Sequence, residues 1–179
     1  MSITETRTAL PTGVWQLDPV HSTIGFELPY LGGTFRGHFR DVDATLDGDR
    51  GVIAGTARVA SVDVKDENLA AHLQSPEFFD AERHPELRFD SSEIVPEGDG
   101  RLRVRGDLTI KGATHPVELV GTITEPLTDG FGQTRVGAAL ATTVDRTAFG
   151  LDWNMPLPSG EPSLPNDVGL TAELYFVQG

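Results

Sequence analysis

The sequence predicts an all-β fold: about eight antiparallel strands closed into a barrel, with one short helical insertion closing one end. Three observations carry this. Apolar and polar residues alternate at a period of two through most of the chain. The alternation gives way to helical spacing once, between Ser61 and Phe89. Small residues (Gly37, Gly55, Ala57, Gly106, Gly121 and Ala138) fall mid-strand on faces that should point inward. An eight-stranded barrel has an interior that large side chains just fill or that holds one ligand. Small residues there favour a hollow; otherwise they ease barrel corners and coiling.

In chain order, Val14 to Asp18 reads as a short strand stopped by Pro19, and Ser22 to Leu28 as a second with Ile24, Phe26 and Leu28 on one side. Phe35, Gly37 and Phe39 then point inward, followed by Val42, Ala44 and Leu46; the change of face between Phe39 and Val42 is what a β-bulge produces. Val52 to Ala60 is the next strand. In the helical break, Leu69, Ala70 and Leu73 share a face and Asp63 or Asp66 can cap the start. Ser75-Pro76-Glu77 reads as a second helix start that presents Phe78 and Phe79, and His84-Pro85 returns the chain to strand at Leu87 and Phe89.

Arg101 to Lys111 alternates cleanly, with Leu102, Val104, Gly106, Leu108 and Ile110 on the dry face, and a turn near Gly112 leads into Val117 to Ile123. Val136 to Val144 and Val168 to Phe176 complete the set. Leu151 to Asp167 holds four prolines yet also Leu151, Trp153, Met155, Leu157 and Leu164. A long loop this apolar must fold back on the body or cover an opening, and covering an opening fits best.

The length of 179 residues fits one domain. A net charge of -13 argues against nucleic acid or an anionic membrane surface as the main partner. The absence of cysteine excludes disulfides, thiolate metal sites, a cysteine nucleophile and a lipidated N-terminal cysteine. Residues 1–13 read as a disordered N-terminal tail without signal-peptide layout, and residues 14–179 as the barrel domain. With no long apolar run, no stable membrane insertion is expected and the location expected is cytoplasmic.

Several segments are telling in combination: Trp15-Gln16-Leu17-Asp18-Pro19 with His21-Ser22; Gly37 and Phe39; His72-Leu73 before Phe78-Phe79-Asp80; Pro85 with Phe89; Gly106 through Gly112; Pro116-Val117; and Arg146 with Phe149-Gly150. In this order they resemble the YceI-like family of polyisoprenoid-binding, lipocalin-like barrels, over almost everything from Val14 onward. The resemblance implies an antiparallel eight-stranded lipocalin-like barrel that binds a long apolar molecule in a lined cavity. Where the family often has a histidine this chain has Pro29-Tyr30, and where it often has an Arg-Asp pair this chain has Leu69-Ala70, which makes the cavity mouth less polar.

The apolar lining expected on this reading is Phe26, Phe35, Phe39, Phe78, Phe79, Phe89, Leu108, Leu119, Phe149 and Trp153. His72, on the helix that closes the barrel, either reaches a ligand head group or satisfies a rim backbone group. Arg146 either meets a phosphate head or pairs with Asp145 or another rim carboxylate. Asp18, His21 and Ser22 are too close in sequence for a hydrolase triad, and no G-x-S-x-G is present. The five histidines lack helical zinc spacing, so no metal and no cofactor is expected.

The function expected is non-catalytic carriage or sequestration of a long-chain isoprenoid, quinone or fatty-acid-like ligand, with a homodimer as an admissible assembly. The alternative is an enzyme acting on an apolar isoprenoid or acyl substrate through the rim His and Arg residues. It would need titratable groups on inward faces, and the strands offer almost none.

Overall fold

Nearly every predicted strand is present in the computed structural model of the chain, which describes residues 10–179. In order come β1 (Val14–Leu17), β2 (Thr23–Tyr30), β3 (Gly33–Phe39), β4 (Val42–Asp47), β5 (Val52–Arg58), β6 (Val62–Asp63), α1 (Glu67–Gln74), β7 (Glu86–Gly98), β8 (Arg101–Ile110), β9 (Ala113–Ile123), β10 (Leu127–Thr128), β11 (Thr134–Asp145) and β12 (Asp167–Gln178). The ring runs β1-β4-β5-β7-β8-β9-β11-β12 and closes where Trp15 pairs with Gln178, with every pairing antiparallel. β2 continues the wall beyond β1 by pairing with β12, β3 pairs with β2, and β6 pairs with β3. Three of the eight walls are therefore long strands broken once, at Pro19, at Arg40-Asp41 and at the turn Val59–Ser61. The break at Arg40-Asp41 buries both Phe39 and Val42, the predicted change of face.

One end of the barrel is solid. Trp15, Val104, Val136 and Phe176 are each at most 1 % exposed and fill the cross-section. Leu10 to Gly13, expected within the tail, cover this floor instead. Leu10 packs on the core, the Trp15 indole donates to the Thr12 carbonyl at 3.0 Å, and Gly48 N donates to the Gly13 carbonyl. The rest of the expected tail, residues 1–9, lies outside the described residues.

The corner between β1 and β2 is held by Asp18. One carboxylate oxygen accepts from Val20 N, and the other lies 2.6 Å from His21 Nδ1 and accepts from Arg135 Nη1 at 2.9 Å. Asp129 holds the far side of the same guanidinium. Ser22 Oγ donates to the Asp18 carbonyl and accepts from Tyr175 N, so it braces the corner rather than facing His21.

Two of the mid-strand glycines do something other than make space. A Cβ on Gly106 would lie 2.4 Å from the Asp90 carbonyl oxygen, because the β7–β8 ladder shifts register between Ser91 and Glu93 and brings the backbones together. On Gly121 it would lie 1.7 Å from the Ala139 carbonyl oxygen, where β9 crosses β11. These are corner glycines. Gly106→Ala is expected to lower stability by about 1–3 kcal/mol through strain, read as an unfolding midpoint; an unchanged midpoint would show that the two strands have room.

The hydrogen bonds from His21, then Arg135, hold the Asp18 pKa down from 3.8 to about 2. A depressed carboxylate adds stability that is complete above its unfolded value and lost as pH falls through its folded value. Stability should therefore fall between pH 3.8 and about 2, and Asp18→Asn should flatten that part of the curve while lowering the neutral-pH midpoint. Identical acid limbs for the two proteins would remove Asp18 from the account.

Candidate ligand-binding hollow

Above the floor the inward side chains stop meeting. They leave a hollow of about 370 Å³. All twelve residues that the sequence nominates reach its wall: Phe26, Phe35, Phe39, Phe78, Phe79, Phe89, Leu108, Leu119, Phe149 and Trp153, with His72 and Arg146. Phe26, Phe35, Phe89, Leu108 and Leu119 point inward yet are only half-buried, because they face open space rather than one another. The small residues that make room are Ala44, Gly55, Ala57 and Ala172. Leu170 and Ala172 on β12 also line it. Their alternation was legible, but nothing in the pattern separates a side chain facing a hollow from one facing a packed core.

The roof is built from the two irregular segments. Asp66 caps α1, its carboxylate accepting from Leu69 N at 2.9 Å, and Leu69 and Leu73 face down into the hollow. Ser75 closes this helix rather than opening a second one: its hydroxyl donates to the His72 carbonyl, and its own carbonyl accepts from Phe78 N and Asp80 N. The turns that follow send Phe79 inward onto Phe26 and Phe39. Phe78 stays beside His72 and Trp153. The imidazole of His72 meets the Trp153 ring edge-on, with centroids 5.0 Å apart, while its Nε2 lies 3.2 Å from Glu77. Lys111 ties the two segments, donating to the Pro76 carbonyl at 2.7 Å and to the Gly150 carbonyl at 3.4 Å.

Arg146 is only 5 % exposed. It does not pair with Asp145, which instead caps the turn Arg146–Phe149 through Thr147. Its Nε donates to the Pro165 carbonyl, and its Nη1 to those of Leu151 and Trp153. One guanidinium thus gathers both ends of the proline-rich loop. Burial lowers its pKa, and the charges of Asp152 and Asp145 oppose that. Nη2 makes no hydrogen bond among the described residues. His115 fills the gap where β9 parts from β11, bonding the Ala148 carbonyl at 2.8 Å with its ring against Phe149.

The titratable side chains on the wall are Tyr30, His72, Arg88 and Arg146, and among the described residues lining the hollow none is acidic. The chain has 27 Asp and Glu, and Asp80, the one buried acidic residue among those described, lies off this wall. No group of three or more His, Asp or Glu among the described residues is placed to hold a metal ion. No described helix is long and apolar enough to cross a membrane.

The YceI-like domain profile matches residues 15–176. A UPF0312 protein of Vibrio cholerae is 33% identical over 137 residues, covering 73% of this chain and 72% of its own. One from Staphylococcus epidermidis is 31% identical over 172 residues, covering 90% and 96%. Among solved structures, BcnA of Burkholderia cenocepacia superposes with a TM-score of 0.76 at 22% identity, over 89% of this chain and 98% of that one. A polyisoprenoid binding domain from Saccharophagus degradans superposes at 0.73 with 10% identity, over 92% and 98%. These two likenesses carry the fold.

Arg146→Met keeps the apolar stem and strips three hydrogen bonds from buried and partly buried carbonyls. The expected loss is about 3 kcal/mol of unfolding free energy, with new protease cutting between residues 151 and 166. A resistant loop in the variant would show that something other than the guanidinium holds it.

Proposed function

The chain belongs to the YceI-like family, and on that premise we propose that it binds a long apolar chain, an isoprenoid or related lipid, inside the barrel. It carries or sequesters this ligand in the cytoplasm and does not transform it. The observation that supports this is the hollow itself, about 370 Å³ walled almost entirely by apolar side chains above a dry floor. The polyisoprenoid-binding neighbour lends the ligand class. Each buried methylene contributes about 0.8 kcal/mol, whereas association costs an estimated 4–15 kcal/mol. A chain of many carbons can bind on apolar contact alone; a short fragment cannot.

The polar end of the ligand belongs beneath Trp153, whose ring meets His72 and whose carbonyl meets Arg146. A wall with donors and no carboxylate suits an end that only accepts hydrogen bonds: phosphate, carboxylate or quinone carbonyl. Catalysis finds little support there. His72 faces Glu77, which is not on the wall, and Arg146 is occupied by backbone carbonyls.

Mass spectrometry of an organic extract of the purified folded protein should show a chain-like lipid. Ala172→Leu fills part of the hollow without entering the packed floor. It should weaken binding of a fluorescent polyene fatty acid by about 2 kcal/mol, the scale of two or three displaced methylenes, with little change in melting temperature. A lipid-free extract together with no binding of the polyene would sink the carrier reading.

A further inference from the structure

Hydrogen bonds tie much of the roof, but among the described residues none joins residues 28–35 to either irregular segment. Lys111 bridges the α1 segment at Pro76 to Gly150, just before the proline-rich loop, His115 fixes the turn after β11 to β9, and Arg146 gathers the loop itself. Asn154 staples the loop internally, accepting from Met155, Ser163 and Leu164 and donating to the Leu164 carbonyl. Between residues 28–35 and residues 151–166, however, there is no hydrogen bond or ion pair among the described residues.

Residues 28–35 also overhang the wall at this end of the barrel. Pairing of β2 with β12 stops at Glu27↔Gly169, and pairing of β3 with β6 stops at His38↔Asp63. Beyond those points Leu28, Pro29 and Tyr30 pair only with Phe35, Thr34 and Gly33. This is a two-stranded flap without a third strand, and such a hairpin is marginal by itself. Leu28, Tyr30 and Phe35 on it line the hollow.

Outside the seam lies a groove of about 590 Å³ walled by Pro29, Tyr30, Leu31, Leu157, Pro162 and Leu164, among others. Tyr30 and Leu164 line both this groove and the hollow, so these two side chains separate one space from the other. Two of its side chains show apolar surface to solvent, Tyr30 at 43 % and Leu31 at 64 % exposed, with Glu161 and Ser163 as its polar margin. The flap tip is a two-residue turn with φ of 46° at Leu31 and 86° at Gly32. Asn or Gly is the usual first residue of such a turn. An aliphatic side chain held there in the left-handed region and turned to solvent is a strained choice of the kind that accompanies function.

We propose that the ligand passes into and out of the hollow through this seam, between the β2–β3 flap and the proline-rich loop, with the outer groove as the first apolar surface it meets. The inference rests on the carrier reading above and adds the route. The floor is closed by Trp15 and Phe176. Among the described residues the flap makes no hydrogen bond to the α1 segment either. It is at the seam with the loop, however, that two side chains, Tyr30 and Leu164, wall both the hollow and an outer groove, so that only side-chain packing must part. The groove holds an apolar chain while Tyr30 and Leu164 move aside.

The chain has no cysteine, so a clamp can be placed cleanly. Leu31→Cys and Pro162→Cys, one on each side of the groove, are joined by a short bis-maleimide, with joining read from intact mass. The unjoined double variant and the singly capped forms are controls. Glu77→Cys with Asp152→Cys, joined likewise, clamps the seam between the α1 segment and the loop. The probe is a fluorescent polyene fatty acid mixed with the protein in stopped flow. The flap clamp is expected to slow both uptake and release by about tenfold or more, since it restrains the gating motion that limits both rates. The other clamp should leave both rates near those of the unjoined protein. Normal rates in the flap-clamped protein, or slowing only by the other clamp, overturn the route while leaving the carrier reading intact. No fluorescence gain even in the unjoined protein overturns the carrier reading and the route with it.

Discussion

The indole of Trp15 decides the shape of the interior. An eight-stranded barrel is just wide enough for its own side chains to fill, and at one end they do. Trp15, with Phe176, Val104 and Val136, leaves no space there. Its Nε1 proton goes to the Thr12 carbonyl, so burying the ring strands no polar group. Because the floor is solid, the hollow is a one-ended well, and everything that controls it must sit at the other end. That end is where the chain abandons regular strand: the α1 segment, the proline-rich loop and the overhanging flap.

The open end is held mainly by polar contacts to backbone. A regular strand satisfies its carbonyls in the ladder, but Leu151, Trp153 and Pro165 lie in a loop and cannot. The buried Arg146 guanidinium satisfies all three. It is a costly group to bury, as the lowered pKa reflects. It is retained where one rigid fork can bind carbonyls that are distant in sequence. Lys111 does the same across the roof with a longer reach.

Charge is sorted as well as hydrophobicity. In a chain with a net charge of -13, the acidic side chains among the described residues stay off the wall of the hollow. On the outer face they pair with the arginines of β8: Arg103 with Glu97 and Glu118, and Arg105 with Glu93 and Glu118. These exposed ladders contribute little to stability, but they keep the barrel wall wet outside and dry inside. An apolar chain with an acceptor end meets no like charge within.

The long strands, the change of face between Phe39 and Val42, and a helix capped by Asp63 or Asp66 are legible in the sequence, because each depends on residues close along the chain; that Asp66 is the cap, and the short β6 and β10, are not. So is the inward direction of Phe26, Phe35, Phe39, Phe89, Leu108 and Leu119, since alternation states which way a strand residue points, though not that they face a hollow rather than a packed core. Other features depend on how near another part of the chain passes. Gly106 and Gly121 look like lining until the Asp90 and Ala139 backbones are found against them. Ser75-Pro76 has the signature of a helix start, yet Ser75 ends the helix before it because Phe79 is drawn down into the barrel. Arg146 is bound by carbonyls, which every residue carries and no sequence pattern advertises. The flap exists only because β12 and β6 stop pairing before β2 and β3 do. Periodicity determines faces; only the closed barrel determines distances, and the hollow, its roof and its seam are matters of distance.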